Sequence, residues 1–321
     1  MNITVIGCGR WGSLITWYLD HIGHRVTLYG RSTSPKMQAF LATRQNDLLT
    51  LPESVALSTD LAAAPDGAET VIISIGSQNL RSLLGQPELQ ALRERTVVLC
   101  MKGLEMGTGA RLSQIASACL HPSNAVAVWL GPGHVQEFYR GIPNCMVIDS
   151  ENDAVKRRLV QSFSSDLIRF YYGGDMIGNE VGAAAKNVVG IAAGFLDGFE
   201  MGSLKGALMS RGTREVARLI KAMGGSELSA YGLCHLGDYE ATVFSPYSHN
   251  RQFGEAFVRG QDYHQLAEGY YTVKALMLLG KKYGVELPIC KAVHDILYEH
   301  AVPKAVLAGL LRRGLTEEFY D

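Results

Sequence analysis

The chain has 321 residues, of which 47% are hydrophobic and 19% charged, and its 30 basic and 31 acidic residues leave a net charge of −1. This is the balance of a globular protein long enough for two domains, and it excludes the basic surface that binding to nucleic acid requires. The apolar runs reach about half of a membrane span and the six cysteines are scattered, so we expect a cytoplasmic protein without signal peptide, disulfides or membrane insertion.

The first half of the sequence alternates strand patterns with helical patterns. Runs rich in β-branched residues predict strands at residues 3–7, 25–30, 70–76, 96–103, 125–131, 145–149 and 167–174. Amphipathic runs predict helices at residues 13–23, 81–95 and 153–163. Such alternation is typical of a mostly parallel sheet with helices on both faces.

From Gly178 onward helical periodicity replaces the strand patterns. Clear helical runs lie at residues 213–225, 270–284 and 301–314. We therefore predict an α/β Rossmann domain with a doubly wound, mostly parallel sheet over residues 1–177, followed by an all-α domain over residues 178–321.

The first predicted strand leads into a glycine pattern that is typical of dinucleotide binding. Gly7, Gly9 and Gly12 form Gly-x-Gly-x-x-Gly between a strand and a helix. The first glycine allows the tight turn, the second lets the backbone approach a pyrophosphate, and the third lets helix and strand pack closely. The N-terminus of the following helix favours phosphate. The context therefore predicts a dinucleotide cofactor.

The end of the second predicted strand indicates which dinucleotide is bound. NAD sites usually have an acidic residue about 20 residues after the glycines, but none lies between Asp20 and Asp47, and Arg31 follows the strand instead. A guanidinium would attract a 2′-phosphate and bond it bidentately. We expect NADP(H) to be preferred, with use of NAD(H) left open; stacking of Arg31 on adenine is the alternative.

Three further segments carry chemistry. Lys102 lies at the carboxyl end of one predicted strand and the Gly131-Pro132-Gly133-His134 run begins at that of another, on the sheet edge where ligands bind in α/β folds. Residues 236–254 form a polar, loop-like stretch that is either a solvated loop or a set of anion ligands. In the run from Gly178 to Gly198, Lys186 and Asn187 stand among small apolar residues, where a buried ammonium is costly unless it is paired or its pKa falls.

Taken together, these motifs resemble the NAD(P)-dependent glycerol-3-phosphate dehydrogenases over nearly the whole chain. The resemblance is carried by GCGRWGS, MKG, GPGH, AAAKNVVGIAAGFLDG, ALMSRG, GLCHLGD, SHNRQFG, Glu268-Gly269 and YGVELPI, in that order. It implies reversible reduction of dihydroxyacetone phosphate to sn-glycerol 3-phosphate, with Lys186 exchanging the proton. A partly buried Lys186 near Lys102 would have a pKa closer to neutrality.

The resemblance also assigns the remaining site residues. It implies catalytic roles for Lys186, Asn187, Asp238, Thr242 and Lys102. It implies cofactor contacts for Gly7, Gly9, Arg10, Trp11, Gly12, Ser13, Arg31, Lys102, Val135, His249 and Glu268. It implies substrate contacts for Lys102, Gly131, Gly133, Lys186, Asp238, Ser248, His249, Asn250 and Arg251.

The same resemblance bears on assembly, and the histidine spacing bears on metals. Because the family often forms dimers, we expect a homodimer. We expect no metal site: His24 belongs to the turn into the second strand, and His21 suits the C-terminal end of the preceding helix. His294 and His300 are too far apart to form a pair on one helical face.

The sequence departs from the family in two places. Gly133 replaces a serine of Gly-Pro-Ser-Phe, and His249 replaces the first arginine of Ser-Arg-Asn-Arg. Histidine titrates near pH 6.5, so we expect a protonated His249 to favour phosphate at low pH. Three functions stay open: glycerol-3-phosphate dehydrogenase, a dehydrogenase of another small hydroxy or keto compound, and an NADP(H) sensor without turnover.

Overall fold

The computed structural model describes residues 1–312 and 317–318, and it divides into two compact units. The first unit comprises residues 1–101 and 112–176, and the second comprises residues 102–111 and the chain from Ile177 onward. The predicted division between residues 177 and 178 places residues 102–111 in the first domain, whereas the structure places them in the second unit. That segment joins the second unit because Leu104 is buried in its core and Arg111 pairs with Glu180 at 2.6 Å.

An eight-stranded sheet organises the first unit. Its strands are β1 (Asn2–Ile6), β2 (Arg25–Tyr29), β3 (Ala56–Ser58), β4 (Thr70–Ile73), β5 (Thr96–Leu99), β6 (Ala125–Leu130), β7 (Asn144–Ser150) and β8 (Ile168–Tyr172). They lie in the order β3-β2-β1-β4-β5-β6-β7-β8, and every neighbouring pair is parallel except β6 and β7. The order reverses between β1 and β4, which is where doubly wound sheets bind their ligands.

Seven helices accompany this sheet. They are α1 (Arg10–His21), α2 (Pro35–Thr43), α3 (Leu80–Leu84), α4 (Pro87–Gln90), α5 (Leu112–Cys119), α6 (Val135–Tyr139) and α7 (Asp153–Phe163). The core is rich in buried aromatic rings: Trp129 lies edge-on to Phe170 at 4.8 Å between centroids and contacts Tyr18 and Phe163. Large rings of this kind dominate the burial energy of a core.

Helices and helical turns build the described part of the second unit. The helices are α8 (Met176–Gly198), α9 (Lys205–Ala222), α10 (His249–Val258), α11 (Glu268–Tyr283), α12 (Pro288–Tyr298) and α13 (Pro303–Leu311). Shorter turns include a 3₁₀ turn at Leu236–Asp238 and a π-helical turn at Glu240–Phe244. Helix α8 is central, because nearly all of its residues are buried.

The predicted fold class is confirmed, and two details differ from the sequence predictions. Strand β3 and helices α2, α5 and α6 were not predicted. Residues 236–254 are not the loop that was predicted, because α10 begins at His249 with the Ser248 side chain accepting from Arg251 N. The predicted last helix ends at residue 314, and its residues 313–314 lie outside the described residues, as does part of the predicted C-terminal domain.

Candidate functional site

The dinucleotide turn lies between β1 and α1. Gly7 has a φ of +118°, and a Cβ at this position would lie 2.1 Å from the carbonyl oxygen of Ser74. A Cβ on Gly12 would lie 1.9 Å from the carbonyl oxygen of Gly7. Both glycines are therefore required by packing inside the protein. Apart from its neighbours in the chain, a Cβ on Gly9 would meet no described atom within 4 Å, so packing does not account for this glycine.

The position of Gly9 is consistent with a bound pyrophosphate. Gly9 precedes the first residue of α1, Arg10, and adopts an extended conformation there. Backbone without a side chain at a helix N-terminus can approach a phosphate closely. The turn therefore fits a dinucleotide on the chemistry of its own backbone.

The other predicted cofactor residues of the first unit have distinct environments. Ser13 is buried and its hydroxyl donates to the carbonyl oxygen of Arg10 at 3.0 Å. The same hydroxyl oxygen accepts from Asn46 Nδ2 at 3.1 Å. The Trp11 ring lies 6.1 Å from that of Phe138. Arg31 is exposed, directly after β2.

The loop from β6 to α6 carries two glycines in conformations that other residues rarely adopt. Gly131 has a φ of +126° and Gly133 a φ of +136°. A Cβ on Gly133 would lie 2.2 Å from the Phe138 ring. The serine that the family has at position 133 is therefore excluded here by both backbone conformation and packing. Val135, at the start of α6, is buried in the core of this unit.

A cluster of charged side chains lies inside the second unit. Lys186 on α8 places its ammonium 2.6 Å from Asp238 Oδ2 and donates to Thr242 Oγ1 at 2.7 Å. Lys102 Nζ lies 2.7 Å from the same carboxylate oxygen. Lys186, Asp238 and Thr242 are all buried, whereas the Lys102 side chain is 20% exposed. Two ammonium groups thus share one buried carboxylate.

This arrangement lowers the pKa of Lys186 from 10.5 to about 8. Burial is the largest cause, because the charged form loses its hydration. The nearby Lys102 ammonium acts in the same direction, and the Asp238 carboxylate opposes both. Lys186 is therefore a group that can both give and take a proton near neutral pH.

Two amide side chains form a directional chain beside the cluster. Asn187 Nδ2 donates to the carbonyl oxygen of Lys102 at 2.8 Å, and Asn250 Nδ2 donates to Asn187 Oδ1 at 3.1 Å. The backbone N–H of Gly269 then donates to Asn250 Oδ1 at 2.9 Å. Glu268, the other cofactor residue expected in this unit, is the first residue of α11. The chain of bonds links the Lys102 backbone to the start of that helix.

Small residues on α8 let the surrounding segments approach this helix closely. Gly182, Gly190 and Gly194 are separated from Lys186 by four or eight residues, so they lie on or near its face of the helix. A Cβ on Gly190 would lie 2.8 Å from Thr242 Cγ2, and one on Gly194 would lie 2.1 Å from the carbonyl oxygen of Arg251. The small-residue run therefore serves direct packing of helix on backbone.

The predicted phosphate-binding residues surround the start of α10. Arg251 pairs with Asp197 at 2.6 Å and with Glu255 at 3.2 Å, and its Nε donates to the carbonyl oxygen of Ser245. His249 Nδ1 lies 2.5 Å from the Tyr263 hydroxyl, which donates to Gln252 at 3.0 Å. Since that hydroxyl has one proton, the hydrogen between His249 and Tyr263 comes from the imidazole.

The sequence analysis did not identify the buried residues that hold the segments bearing Asp238 and Thr242. His235 and Tyr239 are fully buried and bonded to each other at 2.8 Å, on either side of Asp238. Lys205 bonds Asp197 at 2.7 Å and the carbonyl oxygen of Val243 at 3.1 Å, next to Thr242. A four-residue His-to-Tyr spacing beside an acidic residue was the available signal for the first pair.

Metal clusters and membrane-spanning helices are two further features that would indicate function. Within residues 1–312 and 317–318, no three His, Cys, Asp or Glu side chains are grouped so as to hold a metal ion. None of the helices described has both the length and the apolar character to cross a membrane.

Comparison with known families matches most of the chain. Residues 2–156 match the family described as NAD-dependent glycerol-3-phosphate dehydrogenase N-terminus. Residues 175–308 match the family described as NAD-dependent glycerol-3-phosphate dehydrogenase C-terminus. The two matches follow each other in the order of the two structural units.

Individual relatives extend over nearly the full length. Glycerol-3-phosphate dehydrogenase [NAD(P)+] of Thermus thermophilus is 36% identical, over 99% of this chain and 100% of its own. The enzyme of the same name from Thermoanaerobacter is 31% identical, over 100% and 99%. The crystal structure of glycerol-3-phosphate dehydrogenase from Coxiella burnetii superposes with a TM-score of 0.89 at 27% identity, over 97% of this chain and 99% of that one. The chain therefore belongs to the NAD-dependent glycerol-3-phosphate dehydrogenase family.

Proposed function

We propose that this chain is an NAD(P)-dependent oxidoreductase that reversibly reduces dihydroxyacetone phosphate to sn-glycerol 3-phosphate, with Lys186 as the proton donor and acceptor. The observation that carries the proposal is the pairing of the buried Lys186 ammonium with Asp238 and Thr242. Membership of the family and the names of full-length relatives support the substrate over another hydroxy or keto compound.

Lys186 supplies the acid and the base of the reaction. A reduced nicotinamide, when bound, supplies the hydride for the central carbon. Negative charge then develops on the carbonyl oxygen, and the Lys186 ammonium stabilises this charge and transfers its proton to that oxygen. In the reverse direction the neutral amine takes the proton of the hydroxyl group. A pKa of about 8 makes both forms accessible near neutral pH.

The neighbours of Lys186 have separate roles in the proposal. Asp238 keeps the ammonium oriented, and Thr242 accepts its second hydrogen bond. Lys102 brings a second positive charge to the same carboxylate, and we assign it to the substrate. Asn187 fixes the Lys102 backbone through its side-chain amide, and we assign this residue to the substrate as well.

We assign the dinucleotide to the turn of Gly7, Gly9 and Gly12, with Arg10, Trp11, Ser13 and Val135 as further contacts in the first unit. Arg31 favours NADP(H), because it stands exposed after β2 where an NAD site would have a carboxylate. The open surroundings of Gly9 support a pyrophosphate at its backbone.

We assign the substrate phosphate to the start of α10, with Ser248, His249, Asn250 and Arg251 as its residues. The departure from the family at His249 is partly compensated by Tyr263, which holds the imidazole through Nδ1. The Arg251 guanidinium keeps α10 on α8 through Asp197 in addition.

The decisive test is oxidation of NADPH by the purified chain with a panel of carbonyl acceptors. The proposal expects dihydroxyacetone phosphate to be the preferred acceptor, with phosphate-free dihydroxyacetone as the matched control. A preference for a different keto compound would mean that the proposed substrate is wrong, while the proposed hydride and proton transfer would stand. Tight NADPH binding without oxidation by any acceptor would favour a sensor instead.

The same preparation, sized by light scattering, tests the expected homodimer, and cell fractionation tests the cytoplasmic location.

A further inference from the structure

The carboxylate that both lysines share is poorly fixed by its own hydrogen bonds. Both ion pairs of Asp238 end on Oδ2, at 2.6 Å from Lys186 and 2.7 Å from Lys102. Asp238 Oδ1 is buried and has no hydrogen-bond partner within the part of the chain that the structure describes. Since one oxygen carries all the contacts, the orientation of the carboxylate depends on the backbone that bears it.

That backbone is held by two buried side chains, one before and one after Asp238 in the sequence. His235 Nδ1 lies 2.8 Å from the carbonyl oxygen of Gly182, and His235 Nε2 lies 2.8 Å from the Tyr239 hydroxyl. The Asp238 N–H donates to the carbonyl oxygen of His235 at 3.0 Å. Gly182 lies one helical turn before Lys186 on α8. The pair therefore ties the turn that carries the carboxylate to the helical turn that precedes the ammonium.

The direction of each bond follows from chemistry. A carbonyl oxygen only accepts, so His235 Nδ1 carries the hydrogen and Nε2 accepts from the Tyr239 hydroxyl. Burial lowers the pKa of His235 to about 4, so the imidazole is neutral at working pH. Lys186 and Asp238 are the charged groups that act on His235, and Thr213, Cys290 and Glu215 act on the Tyr239 hydroxyl. We call the hydrogen-bonded pair of His235 and Tyr239 the clamp; because it is neutral, it adds no further charge beside the two ammonium groups.

Two glycines make room for this clamp. A Cβ on Gly182 would lie 3.0 Å from the Cβ of His235, and a Cβ on Gly212 of α9 would lie 3.3 Å from the Tyr239 hydroxyl oxygen. The pair thus stands between two helices that approach it closely, and both side chains are fully buried. Its geometry is fixed from α8 and from α9.

We propose that His235 and Tyr239 are positioning residues that hold the Asp238 carboxylate against the Lys186 ammonium, so that the strength of the Asp238–Lys186 pair is set by a hydrogen bond that touches neither group. The proposal rests on the assigned role of Lys186, and it adds residues that the reaction itself does not require. Neither residue contacts substrate or cofactor in it.

The test is Tyr239→Phe, which removes one hydroxyl and keeps the ring. We expect kcat for reduction to fall about ten- to hundredfold, because small displacements of a catalytic group are costly, while KM stays within about threefold. Because Asp238 raises the pKa of Lys186, a loosened carboxylate moves the alkaline limb of the pH profile to lower pH. Tyr298→Phe is the matched control, since it removes a tyrosine hydroxyl that donates to a backbone carbonyl elsewhere in the same unit.

A second variant separates positioning from folding. His235→Asn keeps a donor for the Gly182 carbonyl and loses the acceptor for Tyr239, so it should shift the same limb, and the double variant should be no worse than either single one. A lower melting temperature with an unmoved pH limb in both single variants would overturn the proposal. If wild type does not reduce dihydroxyacetone phosphate, NMR of labelled lysines still measures the Lys186 pKa; an unchanged value in Tyr239→Phe would then overturn the clamp independently of the substrate.

Discussion

The Lys186 ammonium lies 2.6 Å from the Asp238 carboxylate, and the same carboxylate oxygen lies 2.7 Å from the Lys102 ammonium. Three charges in one buried cluster leave one net positive charge, which suits an oxygen that becomes negative during reduction. The arrangement also explains how a lysine in a helix of small apolar residues can be retained, because it is paired and its pKa is lowered.

Removing the second ammonium should change the pH dependence in a defined direction. In wild type, reduction requires the Lys186 ammonium and should decline above a pH of about 8, whereas oxidation requires the neutral amine and should rise there. Lys102 lowers the pKa of Lys186, so Lys102→Met should move both limbs to higher pH. Pre-steady-state rates in both directions between pH 6 and 10 measure this. Limbs that stay in place or move to lower pH would count against the cluster.

Substitution of a tightly packed glycine on α8 by alanine should lower the free energy of unfolding, whereas substitution of a glycine in open surroundings should not. Gly194→Ala would bring a Cβ to 2.1 Å from a backbone carbonyl oxygen, so we expect a loss of about 1–3 kcal/mol in the free energy of unfolding. Gly206→Ala on α9 is the control, because a Cβ there meets no described atom within 4 Å. It should stabilise the protein by about 0.5–1 kcal/mol. Denaturant titration measures both, and equal effects would refute the packing argument.

Arg31 should determine the preference between the two dinucleotides. Loss of a charged hydrogen bond to a phosphate costs about 1.5–3 kcal/mol, so Arg31→Ala should weaken NADPH binding by one to two orders of magnitude. NADH binding should change little. Arg25→Ala, at the exposed start of the same strand, is the control. Calorimetric titration of both nucleotides decides the matter, and an equal loss for NADH would indicate stacking on adenine.

His249 should bind the substrate phosphate less strongly than the arginine that the family has at this position. An arginine carries a permanent charge and can form two parallel hydrogen bonds to a phosphate, so His249→Arg should lower the KM for dihydroxyacetone phosphate by up to about tenfold. Steady-state kinetics at saturating NADPH measures the KM of both proteins. An unchanged or higher KM in this variant would exclude position 249 from the phosphate site.

Much of this could be predicted from the sequence, and the remainder depended on long-range packing. Alternating periodicity predicted the Rossmann sheet, and the family motifs brought Lys186, Asp238 and Lys102 into one cluster. The segment 102–111 groups with the second unit and not with the strands that flank it, which could not be predicted because strand patterns carry no information on which core Leu104 enters.

Two other omissions have different causes. Helix α10 was hidden by the polar residues around Pro246, although Ser248 is a good N-cap residue. The bond between His235 and Tyr239 gave little signal, because a buried histidine bonded to a tyrosine depends on two helices that lie far away in sequence.

The account depends most directly on the ammonium of Lys186, and Lys186→Met tests it. Turnover of dihydroxyacetone phosphate should fall by about two to four orders of magnitude, the range of general acid catalysis, while the Kd for NADPH stays within a few-fold. Lys221→Met, at a largely exposed position of the same unit, should leave both unchanged. Turnover of the Lys186 variant within tenfold of wild type would contradict the account and move the proton transfer to another group, with Lys102 the next to examine.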